Sequence, residues 1–85
     1  MDLGASGGKI FLGGVQGSSL VFEEVHRFDN RPVQKGGRYV WDMKYLFDEI
    51  VKGLKIAGEE ADEIKSLGVD TWGLDFGLIK KGKLM

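Results

Sequence analysis

Residues 2–9, DLGASGGK, place one acid ahead of a run of glycine and small residues that ends on a lysine. A glycine-rich turn can bring successive backbone amides together, and such amides bind anions without a charged side chain. Lys9 adds a cation beside this turn, and Asp2 offers a carboxylate to Mg²⁺, directly or through water. These are the groups that phosphoryl transfer needs, because its transition state requires mainly positioning and charge neutralisation. The alternative interpretation is a flexible turn without a ligand.

Two better-known phosphate motifs do not fit this segment. A Walker A loop needs Ser or Thr after its lysine, but Ile10 follows Lys9. A dinucleotide-binding fingerprint needs a helix after its glycines, and an apolar strand pattern stands there instead. Any phosphate turn here is therefore of another kind.

A second candidate ligand-binding segment is DTWGLDF, residues 70–76, in which Asp70 and Asp75 flank a Trp72-Gly73 pair. An aromatic plane can cover the C–H face of a polyhydroxylated ligand while polar groups bind its hydroxyls. Alternatively, Trp72 anchors a tight turn and Asp75 serves that turn. The residues alone leave both interpretations open.

The remaining candidates indicate structure rather than catalysis. His26 is the only histidine and the chain has no cysteine, so a His or Cys metal centre is not expected. We expect His26 on the surface of a strand. Trp41 precedes the predicted helix and is expected to pack near Phe47 or Tyr45 as a hydrophobic staple.

The elements that must position these residues follow from hydrophobic periodicity and turn residues. Residues 9–15 and 19–28 read as two strands of a hairpin, joined at residues 16–18. Residues 29–38 read as a polar loop that contains the only proline. We predict a helix over residues 42–61, with Asp42 as its N-cap.

Two further strands are predicted near the end of the chain, over residues 64–71 and 74–79. Leu67 and Val69 are expected to point inward from the first of them. The turn at residues 80–83 would lead into another strand. This order of elements predicts an α/β fold in which one long helix covers a mixed sheet with a β-hairpin.

Composition limits the chain to one small domain, since 85 residues build only a thin core. A net charge of −1 gives no electrostatic footprint for nucleic acid or an anionic membrane. The chain has no apolar run that could span a bilayer and no signal-peptide pattern, so we expect a cytoplasmic protein.

Taken together, four segments resemble the start of the FGGY carbohydrate kinases, and within them the rhamnulokinase branch. They are DLGASGGK (2–9), EEVHRFDN (23–30), YVWDMKYL (39–46) and SLGVDTWGLDFGLI (66–79). The resemblance covers nearly the whole chain in consistent order, and DTWGLDF is its most specific part. It implies an N-terminal portion of the ribonuclease-H-like, actin-like ATPase fold, in which two domains close over a cleft.

The resemblance also implies an activity and its site residues. These kinases transfer the γ-phosphoryl group of ATP, with Mg²⁺, to a sugar, and the rhamnulokinase branch converts L-rhamnulose to L-rhamnulose 1-phosphate. The phosphate loop of ATP would match five residues, namely Ala5, Ser6, Gly7, Gly8 and Lys9. Asp2 would match the acid near the metal, and Trp72 with Gly73 the sugar-binding turn. Gly7 replaces a usual serine and Lys9 a usual arginine.

The resemblance places the catalytic base, an aspartate, beyond residue 85, together with the second domain. We therefore interpret residues 1–85 as part of the N-terminal kinase domain, inactive in isolation. The alternatives are a non-catalytic binding module that keeps the fold and another pentulose or hexulose kinase. A shortened first strand would leave an exposed sheet edge for self-association, with Phe11, Phe22 and Phe76 uncovered.

Overall fold

The structure, a computed structural model, describes residues 1–85 as a mixed α/β arrangement of eight strands and one helix. A four-stranded sheet in the order β3-β2-β1-β6 carries the helix on one face, and two small hairpins complete the chain. The elements are β1 (Asp2–Leu3), β2 (Gly7–Gln16), β3 (Ser19–Asp29), β4 (Val33–Lys35), β5 (Arg38–Val40), α1 (Met43–Glu60), β6 (Asp70–Thr71), β7 (Ile79–Lys80) and β8 (Lys83–Leu84).

The predicted first hairpin is confirmed, and it is longer than its apolar pattern indicated. β2 and β3 pair antiparallel from Gly7 opposite Asp29 to Gln16 opposite Ser19. Gly17 reverses the chain at a φ of 64°, which glycine adopts without steric cost. A bulge between Ile10 and Phe11 shifts the register. The hairpin is the framework on which the other strands assemble.

The first strand lies inside the sheet, but its two residues pair with only Gly8 and Lys9 of β2 and leave the rest of that strand without a partner on this side. β1 pairs antiparallel with β2 and parallel with β6, so it has a partner on each side. The two edges of the sheet are β3 and β6. Self-association through an edge stays a prediction, and both the outer strand β3 and the part of β2 beyond Lys9 offer unpaired backbone for it.

The predicted helix is confirmed as α1, with Asp42 as its N-cap. The Asp42 carboxylate accepts the Tyr45 backbone N–H at 3.0 Å, which satisfies one of the free donors of the first turn. The buried face of the helix consists of Leu46, Gly53 and Ala57. A Cβ at Gly53 would collide with the end of the Ile10 side chain. The glycine therefore lets helix and sheet approach closely.

Residues 29–38 do not form a simple loop as predicted. They contain β4 and the start of β5, which pair antiparallel around Gly36 and Gly37. Both glycines have positive φ, 59° and 78°, as a two-residue type I′ turn requires. The hairpin is exposed to solvent, so its residues are polar and lack the apolar pattern by which a strand is predicted.

The two strands predicted near the end of the chain are largely wrong. Of residues 64–71 only β6 pairs, and Leu67 and Val69 are exposed rather than inward. Of residues 74–79 only Ile79 is in a strand, and Leu74 has a φ of 62°. The partner limits the pairing, because the two-residue β1 offers only two positions to a neighbouring strand. The strand after the last turn is confirmed as β8.

The core is small, as the chain length predicts. Its buried apolar side chains are Ile10, Phe28, Leu46 and Ala57. The expected lack of cover over Phe11, Phe22 and Phe76 is confirmed, since all three are exposed. The structure contains no helix with the length and apolar character needed to cross a membrane.

Candidate functional site

The two candidate ligand-binding segments, residues 2–9 and 70–76, meet at one end of a parallel strand pair. Asp2 lies opposite Asp70 and Leu3 opposite Thr71, and the Trp72 N–H donates to the Leu3 carbonyl at 3.0 Å. The turn after β1 and the turn after β6 therefore leave the sheet side by side. Ligands of α/β proteins bind at the carboxyl ends of such strands.

The glycine-rich turn itself spans Gly4, Ala5 and Ser6. The Gly4 N–H donates to the Gly7 carbonyl at 2.9 Å, and a Cβ at Gly4 would lie 2.9 Å from that oxygen. The amides of Ala5 and Ser6 donate to no acceptor within the protein. Both residues are exposed, so these two donors and the Ser6 side chain are accessible to an anion.

The other three predicted phosphate-loop residues are in β2 instead. Gly7, Gly8 and Lys9 pair with Asp29, Phe28 and Arg27 across the hairpin. A backbone nest alternates residues of right-handed and left-handed conformation, and the left-handed ones have positive φ. Gly4, Gly7 and Gly8 all lack a positive φ. Converging amides are therefore expected only in the first half of the segment, because strand pairing engages its second half, and a contact of Gly7, Gly8 or Lys9 with phosphate stays a prediction.

An aromatic ring explains why the second residue of β2, Gly8, is a glycine. Phe28 lies opposite Gly8 and is only 6% exposed, and a Cβ at Gly8 would meet three atoms of its ring. The ring also packs edge-on against Tyr45 of the helix, with centroids 6.2 Å apart. Gly8 is thus required by packing, independently of any ligand.

The end of β3 is joined to the turn by Asn30, which is not among the predicted site residues. Its Nδ2 donates to the Gly4 carbonyl at 2.9 Å, and its backbone N–H donates to the Ser6 carbonyl at 3.3 Å. Asn30 is only 2% exposed. A buried asparagine and a loop asparagine give the same sequence signal, so only the fold could reveal this contact.

The same end of β3 is fixed to the helix. The Tyr45 hydroxyl donates to the Asp29 carbonyl at 2.7 Å. Desolvation, and after it the charges of Glu49 and Asp29, raises the pKa of Tyr45 above its ordinary value of 10.0. The hydroxyl therefore remains a donor at neutral pH.

Three charged residues share the face of the sheet that α1 leaves open. Lys9 alternates with Ile10, which contacts the helix at Gly53, so Lys9 points to the opposite face. Asp2 lies between Lys9 and Asp70 in register, and directly opposed residues share a face. No group of three or more His, Asp or Glu side chains suited to a metal occurs in residues 1–85. Asp2 and Asp70 fit Mg²⁺ nonetheless, because this ion commonly takes one or two carboxylates plus phosphates and water.

The second turn is built around Trp72. Its Nε1 donates to Asp75 Oδ2 at 3.1 Å, and the Phe76 N–H donates to Asp75 Oδ1 at 2.9 Å. These bonds, the first being the stronger cause, hold the pKa of Asp75 below its ordinary value of 3.8. Both carboxylate oxygens already accept a donor, which favours the turn role for Asp75. Gly73 is exposed, with open space around it.

Trp41 does not form the predicted staple. It packs against Trp72 instead, with ring centroids 4.7 Å apart and planes inclined by 45°. The two indoles line a largely apolar groove of about 630 Å³, together with residues of the first half of α1 and residues 75–77 and 84–85. This groove adjoins Leu3 and so begins next to the first turn.

His26 also differs from expectation. Its side chain is 12% exposed under the helix, and Nε2 lies 2.6 Å from Glu49 Oε2. The ring stacks on Phe28 with centroids 5.8 Å apart. His26 is therefore part of the strand–helix junction and not a free surface group.

Fold and site together define an α/β unit with a candidate phosphate turn beside a candidate sugar turn. Comparison with known proteins confirms the predicted resemblance to rhamnulokinases. The chain is 41% identical over 86 residues to the rhamnulokinase of Bacteroides thetaiotaomicron, covering 100% of this chain and 18% of that protein. It is 38% identical over 84 residues to that of Oceanobacillus iheyensis, covering 99% and 18%.

A third rhamnulokinase, from Halalkalibacterium halodurans, is 40% identical over 79 residues, covering 93% of this chain and 17% of that protein. No model of a protein family matches the chain. The chain thus spans less than a fifth of the length of these curated relatives. This coverage is consistent with a part of such a kinase.

Proposed function

We propose that residues 1–85 form the N-terminal part of an FGGY-type sugar kinase that, as a whole protein, phosphorylates L-rhamnulose to L-rhamnulose 1-phosphate with ATP. The observation that carries the proposal is the parallel pairing of β1 with β6, which sets the Gly4–Ser6 turn beside Trp72 and Gly73. The similarity to rhamnulokinases supports the sugar class.

In this proposal each group on the two turns has one task. The amides of Ala5 and Ser6 bind phosphate oxygens, and Lys9 adds positive charge on the same side. Asp2 holds Mg²⁺, which neutralises phosphate charge when it is bound. Trp72 covers the apolar face of the sugar, and the exposed Gly73 backbone approaches its hydroxyls. The proposal assigns no catalytic base to residues 1–85 and places it in the remainder of the kinase.

The fold class follows from the same proposal. A sheet in which an antiparallel hairpin leads to a parallel strand through a helix suits the N-terminal portion of a ribonuclease-H-like, actin-like ATPase domain. The similarity to kinases supports this finer class.

A binding experiment on the ¹⁵N-labelled chain tests the proposal. Mg²⁺-ATP should shift the amide resonances of residues 4–9, and L-rhamnulose should shift those of residues 71–75. Asp2→Asn should reduce the effect of Mg²⁺ on ATP binding and leave the sugar response unchanged. In a coupled assay with both substrates, turnover should stay at background. Turnover that depends on Asp2 would contradict the absence of a base.

A non-catalytic module is the second candidate, because Asp75 is engaged within its own turn. It predicts that neither ATP nor L-rhamnulose shifts any resonance of the two turns. A response to a different pentulose or hexulose at residues 71–75, with none to L-rhamnulose, would favour another kinase of the same family.

A further inference from the structure

We propose that Asn30 is the positioning residue of the Gly4–Ser6 turn, an assignment that rests on the proposed phosphate-binding role of that turn. Asn30 follows β3 directly and is 2% exposed. It is the buried polar residue of the chain, and its side chain and backbone both donate to the turn.

The geometry gives Asn30 a specific effect on the turn. Its Nδ2 binds the Gly4 carbonyl and its N–H binds the Ser6 carbonyl, at 2.9 and 3.3 Å. Two carbonyls, one at each end of the turn, are thereby occupied by a single buried residue. The amides of Ala5 and Ser6, which lie between these points, have no acceptor within the protein. The Gly4 carbonyl shares its peptide plane with the Ala5 N–H, so the Asn30 side chain orients that amide directly, while the bond to the Ser6 carbonyl restrains the far end of the turn and limits the movement of the Ser6 N–H between the two points.

Asn30 is itself held in place from behind. The preceding residue, Asp29, accepts the Tyr45 hydroxyl through its carbonyl at 2.7 Å, and Phe28 packs between Gly8 and Tyr45. The end of β3 therefore connects the turn to the helix, and the helix fixes the position of the turn through it. Preorganised donors bind more tightly than mobile ones, because the cost of ordering them is met on folding.

The first measurement uses the unmodified chain. The Asn30 side-chain amide protons should exchange with solvent far more slowly than those of the exposed Gln16 and Gln34. Exchange at the rate of these glutamines would overturn the proposal without any variant. Steady-state ¹H–¹⁵N NOE values at residues 4–6 should match those of β2.

The second measurement compares Asn30→Ala with Ala57→Gly, which weakens the helix at a buried position away from the turn. Tripolyphosphate is the probe, titrated where both variants are folded. Asn30→Ala should weaken its binding about tenfold, in line with the loss of one buried hydrogen bond, and lower the NOE values at residues 4–6. Ala57→Gly should reduce thermal stability and change neither readout.

The outcomes separate the two proposals. If the unmodified chain binds no tripolyphosphate, the phosphate role fails, and the NOE values still decide whether Asn30 orders the turn. If Asn30→Ala binds as tightly as the unmodified chain, or leaves residues 4–6 as ordered, positioning by Asn30 is refuted. Should Asn30→Ala fail to fold, side-chain exchange in the unmodified chain remains decisive.

Discussion

Replacing Gly8 with alanine should reveal how tightly the Phe28 ring closes over β2. The added Cβ would contact the ring atom Cζ and lie 2.6 and 2.8 Å from Cε1 and Cε2. Real Cβ atoms do not approach so closely, so the ring must swing away from its buried position. Phe28 would then lose its packing against Tyr45 and His26.

The expected magnitude combines two opposing effects. Overpacking of this kind costs about 1–3 kcal/mol, while alanine gains about 0.5–1 kcal/mol over glycine through reduced freedom of the unfolded chain. The net loss should lie between about 0 and 2.5 kcal/mol and centre near 1 kcal/mol, which corresponds to a fall of roughly 4–8 °C in Tm at this chain length. Gly14→Ala is a matched control in the same strand, because its Cβ would meet nothing within 4 Å. That control should raise Tm.

Thermal unfolding followed by circular dichroism measures the Tm of both variants, and urea denaturation gives their free energies of unfolding. A double variant, Gly8→Ala with Phe28→Leu, isolates the clash, since a smaller side chain leaves room for the added methyl group. Gly8→Ala should cost less in the Phe28→Leu background than in the unmodified chain. Equal costs in both backgrounds, or equal stability of Gly8→Ala and Gly14→Ala, would refute the packing argument.

Two further predictions concern the helix and the second turn. A Cβ at Gly58 meets open space, so Gly58→Ala should stabilise the chain by about 0.8–1 kcal/mol through helix propensity. Gly53→Ala places its Cβ against Ile10 and should lose that gain. Urea denaturation measures both variants, and equal gains would contradict the close approach of helix and sheet. Because the pKa of Asp75 is held below 3.8, its stabilising contribution is complete above that pH and is lost as pH falls through the lowered value. The Trp72 indole N–H resonance should report this transition, and Asp75→Asn should abolish it; a midpoint above pH 3.8 would disprove the hydrogen-bonding cause.

Strong local signals in the sequence located the main elements correctly. The helix carries an apolar stripe and an N-cap residue, and the first hairpin has two apolar strands around glycine and serine, so both were predicted within a few residues. The resemblance of four segments to kinases also predicted where the two candidate binding turns, after β1 and after β6, lie in the sequence. These features are encoded by residues near one another in the chain.

The errors arose where distant residues decide the structure. The alternation of Leu74, Phe76 and Leu78 is typical of a strand, yet no partner strand is available and all three are exposed. The aromatic partner of Trp41 is Trp72, which is 31 residues away along the chain. Asn30 carries no local sign of its two bonds to a turn on the other side of the first hairpin. Such contacts depend on which strands become neighbours, which hydrophobic patterns do not specify.

The place of β1 between β2 and β6 has a consequence for the order of folding. The β2–β3 hairpin joins residues close in sequence, so its closure is fast and loses little chain entropy. Pairing of β1 with β6 joins the two ends of the chain, and contacts of such long range are slow to form. The two candidate half-sites should therefore come together late. A folding intermediate in which the hairpin and α1 are assembled would still keep the turn after β1 and the turn after β6 apart.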